Sequence, residues 1–253
     1  MIKHDIVYLL KNDYDSEELR YSLRSVVQNL PYRKIVFVGG CPKDIKPDIY
    51  IPDVQIGVNK WERTMHSLKL ALNSEEITEE FYLFNDDFFI MDRVKEDFCY
   101  FNGSLERRVI ELKIKNPRNS SYIRSLEILK NTLTGKGKDS LSFALHVPML
   151  INRAKGQELF RKFPRLQMFR SLYGNYFEIP CSYMKDVKVY DLESIPDTPF
   201  ISTTDETFKN GKVGEFLRKY FDTPSKYEKN KEKELREEIK ELYTEEGEVR
   251  YES

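Results

Sequence analysis

The run FYLFNDDFFIM, Phe81 to Met91, constrains this chain more than any other stretch. It is apolar and aromatic enough to be a buried strand, yet Asn85, Asp86 and Asp87 interrupt it. Two adjacent carboxylates are costly to bury without a cation, a strong donor or an exit to solvent. The run must therefore bring them to the end of a strand. There they either terminate it, as Asn and Asp commonly do, or hold a divalent ion such as Mg²⁺ or Mn²⁺ against phosphates.

The segments around this run alternate between strand and helix signals. Ile6 to Leu10 is a short continuous apolar run and predicts a buried strand. Asp13, Asp15 and Ser16 predict a turn and N-cap for a helix to about Asn29, with Leu19, Leu23, Val26 and Val27 on one face. Lys34 to Gly40 is a second strand closing on glycines, Asp48 to Pro52 an edge-like segment, and Asn59 to Leu72 a second helix. This order predicts an α/β fold, a doubly wound and mostly parallel sheet. Ligands of such sheets bind beyond the carboxyl ends of the strands. That places Asn12 and Asp13, Gly39 and Gly40, and Asn85 to Asp87 at one expected site.

Further along, Glu106 to Lys115 and Tyr122 to Leu133 have helical spacing, so residues 104–140 read as a helical insertion in a single catalytic domain, 1–228. Ser142 to Ile151 leads into a helix from about Asn152 to Lys162, and Val187 to Leu192 is a candidate late strand. Residues 229–253 are highly charged, with Leu235, Ile239 and Leu242 forming a narrow stripe on an expected terminal helix.

Composition removes several function classes. With 41 Lys+Arg against 42 Asp+Glu the net charge is −1, so nucleic acid is not an expected partner. Cys41, Cys99 and Cys181 are widely spaced and only three histidines are present, which argues against structural zinc and a disulfide framework. No apolar run reaches transmembrane length and the N-terminus lacks a signal-peptide pattern, so the expected location is the cytoplasm. There is no P-loop, dinucleotide fingerprint or nucleophile elbow.

Four sets of residues are candidates for chemistry, each with a plainer rival. His146 stands in an apolar setting, as a catalyst or as a packed core residue. Arg20 and Arg24, one helical turn apart, either clamp a pyrophosphate or lie in solvent. Arg63 and Arg170 are further candidate phosphate ligands, a task guanidinium suits better than ammonium does.

Taken together, the motifs resemble the Stealth family of sugar-1-phosphate transferases, which includes capsule polymerases and the lysosomal-enzyme GlcNAc-1-phosphotransferase. DIVYLL (Asp5 to Leu10) is similar to its first block, EELRYSLRSV (Glu17 to Val26) and ITEEFYLFNDDFFI to its second, LHVPMLINR with ELFRKFP and Arg170 to its third, and FLRKYFDTPSKYE (Phe216 to Glu228) to its last. The matches run in order across most of residues 5–228, and the second block is the most specific. The resemblance implies catalytic roles for Asp87, His146 and Arg170, and a structural or phosphate-binding role for Arg24. Asp5, Arg20, Arg24, Asn59, Arg63 and Asn85 become candidate substrate-binding residues, and Asp86 and Asp87 candidate ligands of Mg²⁺ or Mn²⁺.

The expected reaction moves a sugar-1-phosphate from a nucleotide-diphosphate sugar to a glycan hydroxyl, in capsule or cell-surface polysaccharide synthesis. His146 is the base that takes the acceptor proton, since imidazole titrates near neutral pH, or else a nucleophile that carries the phospho-sugar. A lipid-linked acceptor would place the protein peripherally at a membrane. Two other readings stay open: a metal-dependent GT-A-type glycosyltransferase, and a nucleotide- or glycan-binding module without catalysis.

Overall fold

The first strand, β1 (His4–Leu10), has alternate residues buried on opposite sides, and this makes it the centre of a two-faced sheet. In a computed structural model, which describes residues 3–12, 16–165 and 168–229, the sheet order is β3-β2-β1-β4-β7. Here β2 is Tyr32–Gly39, β3 Ile49–Ile51, β4 Glu80–Phe84 and β7 Met149–Asn152. The first four strands are parallel, and β7 joins antiparallel beside β4. Ile6, Tyr8 and Leu10 pack with Leu19, Leu23 and Val26 of helix α1 (Glu17–Asn29). On the other face Val7, Val36 and Val38 pack with Leu68, Ala71 and Leu72 of α2 (Lys60–Asn73). The chain is thus an α/β protein with helices on both faces of a mostly parallel sheet. Gly39 closes β2 at φ +102°, where an added Cβ would stand 2.1 Å from the Leu10 carbonyl oxygen, so glycine is required at this close approach.

The run from Phe81 to Met91 is two strands, and in this the structure differs from a single interrupted strand. β4 ends at Phe84, Asn85 to Asp87 make the turn, and β5 (Phe88–Ile90) leaves the main sheet to pair antiparallel with β9 (Phe200–Ser202). Because β5 has only one strand partner, its other edge needs hydrogen bonds. Buried polar residues of α1 provide them. Ser22 Oγ donates to the Phe88 carbonyl (2.6 Å), Ser25 Oγ accepts from the Ile90 N–H (3.1 Å), and Asn29 Nδ2 donates to the Ile90 carbonyl (2.7 Å).

Between β6 (Tyr100–Phe101) and β7 lie α3 (Leu105–Lys115) and α4 (Ser120–Thr134). Their buried residues Leu105, Val109, Ile123, Leu126, Leu129 and Leu133 join the core on the α2 face. α5 (Arg153–Lys162) and α6 (Phe169–Tyr176) follow β7, then β8 (Ser182–Tyr183), which pairs with β6. The chain continues through β9, α7 (Asp205–Asn210) and α8 (Lys212–Tyr220). The expected strand over Val187 to Leu192 is reduced to a single bridge between Lys188 and Ser202. No described helix is long and apolar enough to cross a membrane. Asp13, Asp15 and the expected terminal helix with Leu235, Ile239 and Leu242 lie outside the described residues.

Replacing Asn29 with leucine keeps its bulk but leaves the Ile90 carbonyl without its donor. Asn29→Leu is expected to lower the free energy of unfolding by roughly 1–3 kcal/mol. Urea titration checks this, and a change within experimental error would mean that β5 does not depend on the seam.

Candidate functional site

The turn between β4 and β5 presents its polar side chains at the carboxyl end of the sheet. There Asn85, Asp86, Asp87 and His146 share a pocket of about 270 Å³ with Glu18, Lys60, Lys188, Thr203 and Asp205. Glu18 comes from the first turn of α1, Lys60 from the start of α2, and Asp205 from the start of α7. Helix starts and strand ends therefore meet at one point, the position where open α/β sheets bind ligands.

His146 sits in the loop before β7, and its ring is fixed by Asp186. Nδ1 lies 3.0 Å from both carboxylate oxygens, and the His146 backbone N–H donates to Oδ1 at 3.1 Å. Burial pushes the Asp186 carboxyl up, but the bonds from the His146 ring and backbone together outweigh it and hold it below the ordinary carboxylate value. Asp186 is thus an ionised acceptor, and the Nδ1 proton points at it, so in the neutral form of the ring the lone pair is on Nε2.

Two residues further on, Lys188 forms an ion pair with Asp87, which also accepts from Ser202 Oγ at 2.9 Å. Asp186 and Lys188 reach the site from the same short stretch because residues two apart on an extended chain point the same way. The bridge to Ser202 and the Val189 N–H bond to the Ser202 carbonyl (2.8 Å) hold that stretch extended.

Arg170 takes a different place from the phosphate ligand expected. Its guanidinium donates to the carbonyls of Leu145 (3.1 Å) and Val147 (2.6 Å), the two residues that flank His146, and to that of Leu83 (3.4 Å). It also lies over the Phe88 ring at 5.3 Å. Burial lowers its pKa to about 10, with Asp87 acting in the opposite direction. Through these three bonds to carbonyls, Arg170 positions the His146 loop against the end of β4.

Four other candidates have specific partners of their own, and a fifth, Arg63, lies outside the pocket lining. Asp5 lies at the amino end of β1, where Arg33 (2.6 and 2.8 Å) and the Thr78 N–H (2.9 Å) satisfy it. That is roughly 15 Å of strand away from the pocket end. Arg20 pairs with Asp44. Arg24 makes a two-pronged ion pair with Glu228 (2.6 and 2.8 Å) and donates to the Phe221 carbonyl, which ties α1 to the last described segment. Asn59 caps α2 by accepting from the Glu62 N–H, and Arg63 follows it without lining the pocket. Asn12 bonds instead to the loop after β3 and Gly39 to β3 itself: Asn12 Nδ2 donates to the Asp53 carbonyl, and the Gly39 carbonyl accepts from the Tyr50 hydroxyl. The pocket gathers Asn85, Asp86, Asp87 and His146 of the expected set and leaves those arginines out.

Glu18 is a pocket residue that sequence reasoning passed over, since an acid in a first helical turn is ordinary. It is 5% exposed and accepts from Thr203 Oγ1 at 2.6 Å. Burial, followed by repulsion from Asp86, Asp87 and Asp205, raises it from the ordinary 4.5 to about 7, against the lowering effect of Thr203. Four carboxylates and two lysines line the pocket, an oxygen-rich set of the kind hard divalent cations take. Among the described residues, no three His, Cys, Asp or Glu side chains converge on one metal-binding point.

A larger open groove of about 640 Å³ runs along Asp92 to Tyr100 beside Pro180 to Ser182. It holds no histidine, and burial pushes its Cys99 thiol up to about 12 and raises Cys181, which leaves both poor nucleophiles.

The sequence matches no protein-family model. It also matches no curated protein. Two similar solved structures are of the glycosyltransferase GlyE from Streptococcus pneumoniae TIGR4. The first shares 11% identity, with 87% of this chain and 60% of that one covered and a TM-score of 0.42. The second, its apo form, shares 12% identity, with the same coverage and a TM-score of 0.36. The chain spans about 60% of the length of these structures. Values this low do not identify a shared activity, and the likeness to the Stealth proteins rests on the motifs quoted above.

The Glu18 shift has a stability consequence. The folded state holds a proton that the unfolded chain releases near 4.5, so this contribution is complete below that pH and is lost as pH rises through about 7. Glu18→Gln is therefore expected to gain stability relative to the parent at pH 8 and to lose that advantage at pH 4.5. Parallel urea titrations at the two pH values measure the difference, and an equal difference at both would show that Glu18 is not held protonated.

Proposed function

We propose that the chain transfers a sugar-1-phosphate from a nucleotide-diphosphate sugar to a hydroxyl of a glycan acceptor. The observation that carries this reading is the His146–Asp186 pair in one pocket with Asp86 and Asp87. One side provides an oriented proton acceptor, and the other an oxygen-rich cradle for a cation and the phosphates it neutralises.

In this reaction the acceptor oxygen attacks the phosphorus that bears the sugar, the bridging P–O bond breaks, and a nucleoside monophosphate leaves. The acceptor proton goes to Nε2 of His146, and Asp186 stabilises the resulting imidazolium. Phosphoryl transfer depends mainly on positioning and charge neutralisation, which suits a site whose parts are fixed by backbone carbonyls and ion pairs. Asp86 and Asp87 would hold Mg²⁺ or Mn²⁺, which supplies positive charge to the diphosphate. Lys60 and Lys188 contribute the protein's own positive charge on the phosphates, a task that sequence reasoning gave to arginines. Arg170 acts through His146 by fixing its loop. The setting in capsule or cell-surface polysaccharide synthesis follows from the motif resemblance.

Phosphorus NMR of reactions with UDP-, CDP- and GDP-sugars, Mg²⁺ or Mn²⁺ and short glycans tests the proposal. A phosphodiester with released nucleoside monophosphate is expected. His146→Ala should slow it by about 10²–10⁴-fold, the range for loss of a general base, and Asp186→Asn by less. Release of nucleoside diphosphate with no phosphorus in the glycan would replace the proposal with glycosyl transfer. Retained binding without any turnover would favour a binding module.

A further inference from the structure

Beside the pocket stands an aromatic pair that the proposed reaction does not use. Trp61, next to the pocket residue Lys60, is 50% exposed and stacks on Tyr122 of α4, with ring centroids 6.2 Å apart and planes 19° from parallel. An indole with an exposed face and a stacked aromatic partner is a flat apolar surface that a ligand can cover. The Tyr122 phenol lies within electrostatic reach of Arg108, of Asp186 and of the exposed Tyr190. A flat, rigid apolar face with a polar rim therefore adjoins the carboxylate that orients His146.

We infer that Trp61 and Tyr122 form a subsite that stacks against a pyranose ring of the acceptor glycan. The inference rests on the proposed reaction and adds to it where the acceptor lies. The 270 Å³ pocket is smaller than the ~300–1,000 Å³ of pockets that enclose a drug-sized ligand, so parts of donor and acceptor must rest outside it. In an in-line displacement the attacking and leaving oxygens lie on opposite sides of the phosphorus. His146 touches the attacking hydroxyl, so a surface adjoining its Asp186 partner is on the acceptor's side and away from the departing nucleotide. A pyranose presents a face of C–H bonds and an equatorial edge of hydroxyls. The indole suits the first, and Arg108 and the two tyrosine hydroxyls suit the second.

Trp61 is the sole tryptophan of the chain, so its fluorescence reports on this surface directly. The wild-type protein is titrated, without donor, with maltotetraose, cellotetraose and chitotetraose, and separately with UMP, CMP and GMP. A saturable emission change with at least one tetrasaccharide is expected. Tyr122→Ala should weaken it by about five- to tenfold, the cost of losing one aromatic partner. This result would stand even if no phosphodiester were ever formed, so failure of the reaction and failure of the subsite are separable. A response to nucleotides and not to saccharides would overturn the inference in favour of a base-stacking site. No change with any tetrasaccharide up to its solubility limit would overturn it, as would an emission shift that follows protein concentration alone and marks a contact between copies. The wild-type titration decides the matter even if Tyr122→Ala does not fold.

Discussion

The site depends on how the chain leaves its main sheet after Phe84. A central strand ending in two adjacent carboxylates has to turn at once, and the residues after it must still bury Phe88, Phe89 and Ile90. The solution is a second ribbon, β5 with β9, backed by a helix that supplies hydrogen bonds where a strand would otherwise stand. Ser22, Ser25 and Asn29 are buried polar residues of α1, and the backbone of β5 accounts for each of them. With β4 fixed in one sheet and β5 in the other, the turn carrying Asn85 to Asp87 has little freedom. The direction in which its carboxylates point follows from that clamp.

Opposite the turn, one extended stretch does two jobs. Asp186 holds the His146 ring and Lys188 neutralises Asp87, so the proton acceptor and the acidic cradle are tied to the same few residues and to β9 behind them. Arg170 braces the other side by gripping both carbonyls next to His146 together with the end of β4. A single guanidinium thereby holds the His146 loop at a fixed distance from the carboxylate turn. Such supporting residues are spread over distant parts of the chain, yet each removes a degree of freedom from the same two groups of the candidate site.

What was legible in the sequence follows the range of each signal. Hydrophobic period and helix caps are local, and they located β1, α1, β2, β3 and α2 within a few residues. They could not show that Phe81 to Met91 changes sheets, because both halves are buried in either arrangement. Arg20 and Arg24 share a helix face as their spacing requires, but their partners Asp44 and Glu228 are distant in sequence and invisible to spacing. Glu18 was hidden by the ordinary presence of acids in a first helical turn. Asp186 and Lys188 did carry a signal: two opposite charges at a period of two within DVKVY, which would place both on one side of an extended segment.

The charges of the pocket also bear on why His146 is better suited to accept a proton than to carry a phosphoryl group. Asp186 binds the Nδ1 side, and Asp86, Asp87, Asp205 and Glu18 line the same small pocket as His146. In the proposed reaction these carboxylates would stabilise the imidazolium formed by proton transfer and would repel the anionic phospho-sugar that a covalent intermediate places on the same ring. Glu18 eases the crowding by holding a proton to about 7, so that the pocket carries less negative charge than its composition implies. Lys60 and Lys188 offset part of the remainder, and a diphosphate entering beside Asp86 and Asp87 adds its own negative charge. A divalent cation held by Asp86 and Asp87 would offset that repulsion. In the proposed reaction the acidity of the site would thus favour general-base over covalent chemistry at His146 and a cation at the Asp86–Asp87 turn, two expectations with one electrostatic cause.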